Sequence, residues 1–181
     1  MVENGDIASE DYEVYLYSLR SIVILGGNVL LSIIIGFAMA VPGYCVMFLL
    51  ALIPLRSSAG GYHASGWGRC FTLSFVTVIL SLLSVKYCFR YETWLLFVLV
   101  VISVAVIVRF APLEDSNNPL DTVQRERSRR KALATAMIEF LAGLLLLAVN
   151  YKLTYVVWEA VIWCAIGYAG WFMKKISCRK E

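Results

Sequence analysis

The sequence has little charge. Charged residues make up 16% of the 181 residues, whereas 60% are hydrophobic, and the mean hydropathy is +0.75. Soluble globular domains carry about 25% charged residues. The shortage of charge therefore excludes an ordinary soluble protein and indicates an integral membrane protein.

Histidine and paired cysteines are also scarce. The chain has one histidine, His63, with one cysteine and no acidic residue close to it, whereas catalytic zinc usually takes three protein ligands. The five cysteines are an odd number scattered through apolar segments, so they predict no disulfide framework. We expect no metal, no cofactor and no nucleic-acid partner. A cleavable signal is not expected either, because the first twenty residues carry five acids and no apolar core.

Long apolar runs predict an all-α polytopic membrane protein, with about six transmembrane helices in a single domain over residues 1–181. A bilayer-spanning helix needs about 20 apolar residues. The predicted spans are residues 21–41, 44–59, 70–85, 93–108, 132–149 and 153–173. Residues 8–20 predict an amphipathic helix on the membrane surface, for which a frayed acidic tail is the alternative. Residues 109–131 predict a basic loop.

The second apolar run is short for a span. From Tyr44 to Leu55 it has only 12 residues, or about 18 Å of helix, against a hydrocarbon core of about 30 Å. Either the helix continues through residues 57–59, or the glycine-rich stretch that follows dips into the membrane. Both alternatives place that stretch at the membrane interface.

Positive charge predicts the orientation of the spans. With both termini inside the cell, 13 of the 16 Lys and Arg residues lie on the cytoplasmic side, and only Lys86, Arg90 and Lys152 lie outside. The positive-inside rule therefore predicts cytoplasmic termini and a cytoplasmic 109–131 loop. It also places residues 56–70 at the cytoplasmic face, so that a substrate must come from inside the cell.

The stretch from Arg56 to Cys70 holds the residues that could do chemistry. His63 precedes Cys70 by seven positions, and four glycines surround it. A thiol deprotonated by a neighbouring imidazole can attack a carbonyl. The start of a helix at Cys70, together with Arg69, favours the thiolate, whereas burial of that helix in lipid opposes it. A flexible polar turn that happens to contain both residues explains the spacing equally well.

Two further features of this region leave alternatives open. A serine nucleophile at 57, 58 or 65 has no advantage over a thiol beside the same histidine. Small polar residues also form a stripe along one face of the third span. They are Cys70, Ser74, Thr77, Ser81, Ser84 and Cys88. We interpret the outer part of the stripe as a seam between helices, while the part near Cys70 could line a groove for a peptide.

The stretch Arg56…Gly60-Gly61-Tyr62-His63…Cys70 resembles the signature of the accessory gene regulator B (AgrB) family of membrane cysteine peptidases. The run 110–114, followed by Asn118-Pro119 and a basic block, resembles the polar loop of that family. The resemblance implies that Cys70 is the nucleophile and His63 its general base. It implies supporting roles for Arg56, Gly60 and Gly61, with Arg69 beside the nucleophile, and it identifies no third catalytic residue.

The resemblance also implies a substrate, an AgrD-like precursor peptide of quorum sensing. Cys70 would cleave off its acidic C-terminal tail and hold the remainder as a thioester, which an internal Cys or Ser would close to a thiolactone or lactone. Basic residues of the 109–131 segment could bind the tail, although anchoring to anionic headgroups explains them as well. They are Arg125, Arg127, Arg129, Arg130 and Lys131.

A small transporter or channel that exports a peptide is the rival interpretation. Its support is Glu139 and Glu159, since ionisable residues inside spans often mark pathways. Both lie near predicted span ends, where we expect them to reach water. In either case the protein is expected in the bacterial cell membrane, with the lipid bilayer as a partner and a homodimer left open.

Overall fold

The computed structural model of the chain describes residues 12–60, 67–87, 93–113 and 121–177, and in four helix-terminal stretches it describes the backbone alone. Those stretches are residues 12–18, 20–21, 67–70 and 173–177. The described residues form six α-helices. In chain order these are α1 (Tyr12–Ala38), α2 (Pro42–Ala59), α3 (Trp67–Tyr87), α4 (Thr93–Phe110), α5 (Thr122–Val149) and α6 (Tyr151–Ser177). The predicted all-α class is confirmed.

Four of these helices are long and apolar enough to cross a membrane, namely α2, α4, α5 and α6. In α1 and α3 the apolar stretches within the described residues are shorter, Ile22–Ala38 and Phe71–Tyr87. Helices of this length and composition are those of a multi-pass membrane protein.

Helix α1 differs from its prediction at the start. Residues 12–20, expected to form a surface helix of their own, are continuous with the apolar part of α1. The junction at Arg20-Ser21 contains no glycine or proline that would interrupt the helix. The N-terminal polar residues therefore extend the first apolar helix.

A short turn joins α1 to α2. Pro42 is the first residue of α2, a position where its missing N–H costs nothing. The two helices approach closely, because a Cβ added at Gly36 would lie 2.7 Å from the Cβ of Cys45. The Cys45 thiol donates to the carbonyl O of Ser32 at 3.1 Å. From this turn α2 continues to Ala59. This agrees with the first alternative for the second apolar run, in which the helix extends through residues 57–59.

Helix α5 begins earlier than the predicted fifth span. Asp121 caps it by accepting from the backbone N of Thr122 at 2.7 Å, and Gln124 completes a capping box. The basic residues expected in a loop are thus helical from residue 122 onward. With 28 residues, α5 is about 42 Å long, which exceeds the roughly 30 Å hydrocarbon core.

Helix α6 lies at the centre of the bundle and packs against α2, α4 and α5, with α3 along one side. Its Trp158 is fully buried and stacks on Phe140 of α5, with ring centroids 6.2 Å apart. Gly143 of α5 provides the space for this indole, since an added Cβ would overlap the ring. The tryptophan Nε1 donates to the Phe140 carbonyl at 3.2 Å, so the contact between α5 and α6 is close and specific.

Candidate active site

The last turn of α2, which leads into the predicted catalytic stretch, is buried. Leu55 and Ala59 are inaccessible, and Ser58 is 9% exposed. The carbonyl O of Ala59 accepts two hydrogen bonds, from the backbone N of Leu113 at 3.0 Å and from the Tyr168 hydroxyl at 2.9 Å. The end of α2 is therefore bonded both to the segment after α4 and to α6.

Gly60 continues this connection beyond the helix. It forms an isolated parallel β-bridge with Leu113, and its φ of 72° lies in the region that favours glycine. A Cβ at this position would meet the carbonyl O of Leu113. The structure thus gives Gly60, one of the predicted supporting residues, a backbone role. The neighbouring Arg56 is half-buried, and its carbonyl accepts from the Gly60 backbone N at 3.2 Å.

The predicted nucleophile lies in the first turn of α3. The helix begins at Trp67, so Cys70 is its fourth residue and Arg69 its third. The first four backbone N–H groups of a helix have no partner within it, and they favour negative charge nearby. The next side chain, Phe71, contacts α1, where a Cβ added at Gly27 would lie 3.1 Å from the ring.

His63 and Gly61 lie outside the described residues, between the end of α2 and the start of α3. The side chains of Cys70 and Arg69 are also outside the description, which covers their backbone alone. The structure describes the helix ends that flank the predicted pair, and the pairing of imidazole with thiol stays a prediction.

Two of the serines considered as alternative nucleophiles are engaged within α2. The Ser57 hydroxyl donates to the carbonyl O of Pro54 at 2.9 Å. The Ser58 hydroxyl donates to the same oxygen at 2.8 Å and is buried. Both hydroxyl protons are therefore used inside the helix.

The profile of a known protein family matches this chain. The family is described as accessory gene regulator B, AgrB, and the match covers residues 1–169. The chain belongs to the AgrB family. No curated protein and no solved structure matches it. Membership of the AgrB family indicates a role in the processing of an agr quorum-sensing peptide and implies an AgrD-type precursor as the partner.

The small polar stripe of α3 packs on α6 in its outer half. The Ser84 hydroxyl donates to Glu159 Oε1, and Ser81 is 2% exposed. Among the described residues, neither Ser81 Oγ nor Glu159 Oε2 has a hydrogen-bond partner. Ser81 and Ser84 therefore lie in a seam between α3 and α6, as interpreted from the sequence, whereas Cys88 lies outside the described residues.

The two intramembrane glutamates do not reach water. Glu139 is 7% exposed and Glu159 is 9% exposed, so the expectation from their distance to span ends was wrong. Neighbouring helices cover both side chains, since α5 and α6 pack against each other and against α2 and α4. Distance from a helix end predicts water access only for a side chain on the outer face.

The predicted tail-binding residues surround the start of α5. The side chains are exposed: Arg125, Arg127, Arg129, Arg130 and Lys131. At about 100° per residue they point in all directions around the helix. Arg130 Nε pairs with Glu126 Oε1 at 3.0 Å, one turn away. They therefore form a helical basic arm rather than a loop in this member of the AgrB family.

Sequence reasoning missed Tyr168 and Leu113. Both contact the end of α2, yet Tyr168 is 109 positions from Ala59 in sequence. Its residue type is also common in an apolar span, so no local pattern distinguishes it. Leu113 was noticed only as part of the motif that resembles the AgrB polar loop, and its neighbours Ala111 and Pro112 are buried as well.

Proposed function

We propose that this protein is a membrane cysteine endopeptidase, which cleaves the tail from an AgrD-type precursor and promotes cyclisation of the remainder. The observation that carries the proposal is the placement of Cys70 in the first turn of α3, close in sequence to the anchored end of α2. Only seven residues, 60–66, connect the two helices, and they contain His63. Membership of the AgrB family supports the substrate class.

In the first proposed step, His63 accepts the proton of the Cys70 thiol. The thiolate attacks the carbonyl carbon of the scissile peptide bond. The tetrahedral intermediate collapses as the C–N bond breaks, and His63 returns the proton to the amine of the departing tail. The remainder of the precursor stays bound to Cys70 as a thioester.

In the second step, an internal thiol or hydroxyl of the precursor attacks this thioester. His63 takes the proton of the attacking group and passes it to Cys70, which leaves as the C–S bond breaks. The product is a thiolactone or a lactone. A site at the membrane interface limits access of water, which would otherwise hydrolyse the same thioester.

The basic arm of α5, residues 125–131, is proposed to attract the acidic tail of the precursor. It follows the loop that starts at Leu113, and Leu113 is bonded to the end of α2, so the arm is expected on the same side of the membrane as Cys70. Exposed Lys and Arg at this position also bind anionic headgroups. A precursor with a neutralised tail tests the difference, because only tail binding predicts a higher KM for that peptide.

The nucleophile is tested with purified protein in lipid vesicles and a synthetic precursor. Cys70→Ala and Cys70→Ser are both expected to abolish cleavage, since neither provides a thiolate. The matched control replaces the other four cysteines, at 45, 88, 164 and 178, with alanine and keeps Cys70. Processing by either Cys70 variant, in protein that inserts normally, would rule out the cysteine mechanism.

The role of His63 is tested by alkylation of Cys70 as a function of pH. If His63 is the base or an ion-pair partner, His63→Ala raises the midpoint of alkylation towards that of a free thiol, whose pKa is about 8.5. Cleavage falls by roughly 10²–10⁴-fold, the usual contribution of a general base. An unchanged midpoint together with normal cleavage removes His63 from the mechanism.

The cytoplasmic position of the site is tested with single cysteines in a cysteine-free background. A membrane-impermeant maleimide applied to intact cells is expected to label a cysteine at Tyr91 but not one at Ser116. The reverse result would place the precursor-binding face outside the cell and contradict the proposed origin of the substrate.

Peptide export is a second candidate function. Its support is the burial of Glu139 and Glu159, each with one carboxyl oxygen that has no partner among the described residues. Buried ionisable groups in spans often mark transport pathways. Export is tested by the uptake of labelled precursor into inverted vesicles. If the protein exports the peptide, uptake is expected to persist with Cys70→Ala protein, which cannot cleave, and to fall with Glu139→Gln protein.

A further inference from the structure

The hydroxyl of Tyr168 is bonded next to the predicted catalytic stretch. Tyr168 is 1% exposed, and its Oη donates to the carbonyl O of Ala59 at 2.9 Å. The backbone N of Leu113 donates to the same oxygen at 3.0 Å. Three segments that are far apart in sequence therefore meet at one oxygen atom.

This oxygen needs partners from outside its helix. The carbonyl of Ala59 is the last of α2, and the final carbonyls of a helix have no intrahelical donor. The residue is fully buried, so water cannot supply a donor, and buried carbonyls are nearly always hydrogen-bonded. A carbonyl oxygen has two lone pairs, and Leu113 and Tyr168 use both. The end of α2 is thereby fixed relative to α6.

Gly60, the next residue, determines the direction in which the backbone leaves α2. Gly60 has φ 72° and ψ −164°, and the Leu113 carbonyl fills the space that a Cβ would need. His63 follows Gly60 by three positions. The described end of α2 therefore sets the position from which the segment with the predicted base begins.

We propose that Tyr168 is a positioning residue for the reaction of Cys70. By holding the end of α2, its hydroxyl sets the place from which His63 approaches the thiol. It acts through His63 and not on the precursor, so it affects kcat and leaves KM unchanged. This inference rests on the proposed peptidase function.

The test compares Tyr168→Phe with wild type in vesicles. Phenylalanine keeps the buried ring and removes only the hydroxyl. We expect kcat for precursor cleavage to fall by about tenfold to a hundredfold, because a displacement of about 1 Å can cost a factor of 10². KM is expected to change by less than about twofold, as for an interaction absent from substrate binding. The alkylation midpoint of Cys70 is expected to shift in the same direction as that expected for His63→Ala.

Tyr155→Phe is the matched control. Tyr155 is also a buried tyrosine of α6, but it lies 13 positions earlier, or about 20 Å along the helix. Its variant is expected to keep the wild-type alkylation midpoint. Equal effects of the two variants on kcat and on the midpoint would show a general weakening of α6 and overturn the proposal.

A rescue experiment separates the hydrogen bond from packing. Replacement of Tyr168 by p-aminophenylalanine restores a donor at the same place on the ring, and we expect it to recover most of the lost kcat. No recovery, or wild-type kinetics for Tyr168→Phe, contradicts the inference. If wild-type protein cleaves no precursor, the peptidase proposal fails, whereas the alkylation midpoint still tests whether Tyr168 positions the base relative to Cys70.

Discussion

The two helix ends that flank the predicted catalytic stretch are held very differently. At the end of α2, Leu55, Ser58 and Ala59 are buried, and the last carbonyl accepts two hydrogen bonds from distant segments. At the start of α3, no residue from 71 to 77 is buried. Just after the first turn, the half-buried Phe71 packs on α1, where a Cβ added at Gly27 would lie 3.1 Å from its ring.

Helix α3 is anchored instead at its far end. Among the side chains of α3 that the structure describes, residues 71–87, the buried ones all lie in the second half of the helix: Val78, Ser81, Leu82 and Val85. Ser84 bonds to Glu159 of α6, and Lys86 Nζ donates to the Met39 carbonyl at 3.3 Å. The predicted base therefore follows a buried, hydrogen-bonded helix end, whereas the predicted nucleophile precedes a stretch of α3, residues 71–77, in which no side chain is buried. This difference would suit the proposed peptidase, which must fit a peptide beside the thiol while the imidazole stays aligned.

The largest effect is expected from Gly60→Ala, which breaks the fixed end. The new Cβ would meet the Leu113 carbonyl, and φ 72° is strained for alanine, at a cost of about 1–3 kcal/mol. We expect precursor cleavage to fall by more than roughly 10²-fold. Gly43→Ala at the other end of α2, where an added Cβ meets nothing within 4 Å, is the control and should cleave normally. Normal cleavage by the Gly60 variant would show that the junction does not position the site.

Gly143→Ala tests whether the position of the α2 end depends on the close packing of α6 against α5. Its Cβ would overlap the indole of Trp158, and overpacking of this kind typically costs about 1–3 kcal/mol. We expect a lower melting temperature in detergent, together with reduced cleavage. Gly167→Ala, in open space on α6, should leave both unchanged. A stable Gly143 variant would mean that α6 can shift without loss.

Gly27→Leu probes the start of α3. The larger side chain would displace Phe71, which follows the predicted nucleophile, because even a Cβ at Gly27 would lie 3.1 Å from that ring. We expect cleavage to fall by about tenfold, a smaller loss than a misplaced base causes, with little change in melting temperature. At Gly26 an added Cβ meets nothing within 4 Å, so Gly26→Leu is the paired control. Equal activity of the two variants would indicate that α1 does not hold this turn.

The smallest effect is expected from Ser84→Ala, which weakens the far anchor of α3. It removes the hydrogen bond to Glu159 and should lower the free energy of unfolding by about 1–2 kcal/mol. Ser103→Ala is the comparison, because the buried Ser103 hydroxyl bonds, within the described part of the chain, to the Leu99 carbonyl of its own helix. A greater loss of stability from the Ser103 variant would contradict the assigned anchor.

Local sequence patterns predicted the presence of the helices well, but predicted their ends and the contacts between them poorly. Apolar runs and Pro42 suffice for the first hairpin, because apolar periodicity and proline act within a few residues. The start of α5 was missed, since the cap formed by Asp121 and Gln124 was read as part of a basic loop. The expected access of Glu139 and Glu159 to water was wrong, because the burial of a side chain depends on which helix packs against its face.

The candidate site was predictable only in part for the same reason. The stretch from Arg56 to Cys70 is distinctive in sequence, and the AgrB family match agrees with it. The hydrogen bonds that fix its beginning come from Leu113 and Tyr168, and no short-range pattern indicates either. The requirement for glycine at position 143 is not predictable from local sequence either, because it comes from the indole ring of Trp158 on another helix, which occupies the space of a Cβ.

The bond between Ala59 and Tyr168 also gives the protein an order of assembly during synthesis. Its two residues are 109 positions apart, and a ribosome adds about 5–20 residues per second. The end of α2 therefore waits roughly 5–20 s for the helix that completes it. A nascent chain with α2 and α3 already inserted carries Cys70 and His63 but lacks Tyr168. If the proposed peptidase function holds, a partly made chain would lack the hydrogen bond proposed to align its site, and peptide maturation would wait for completion of the last helix.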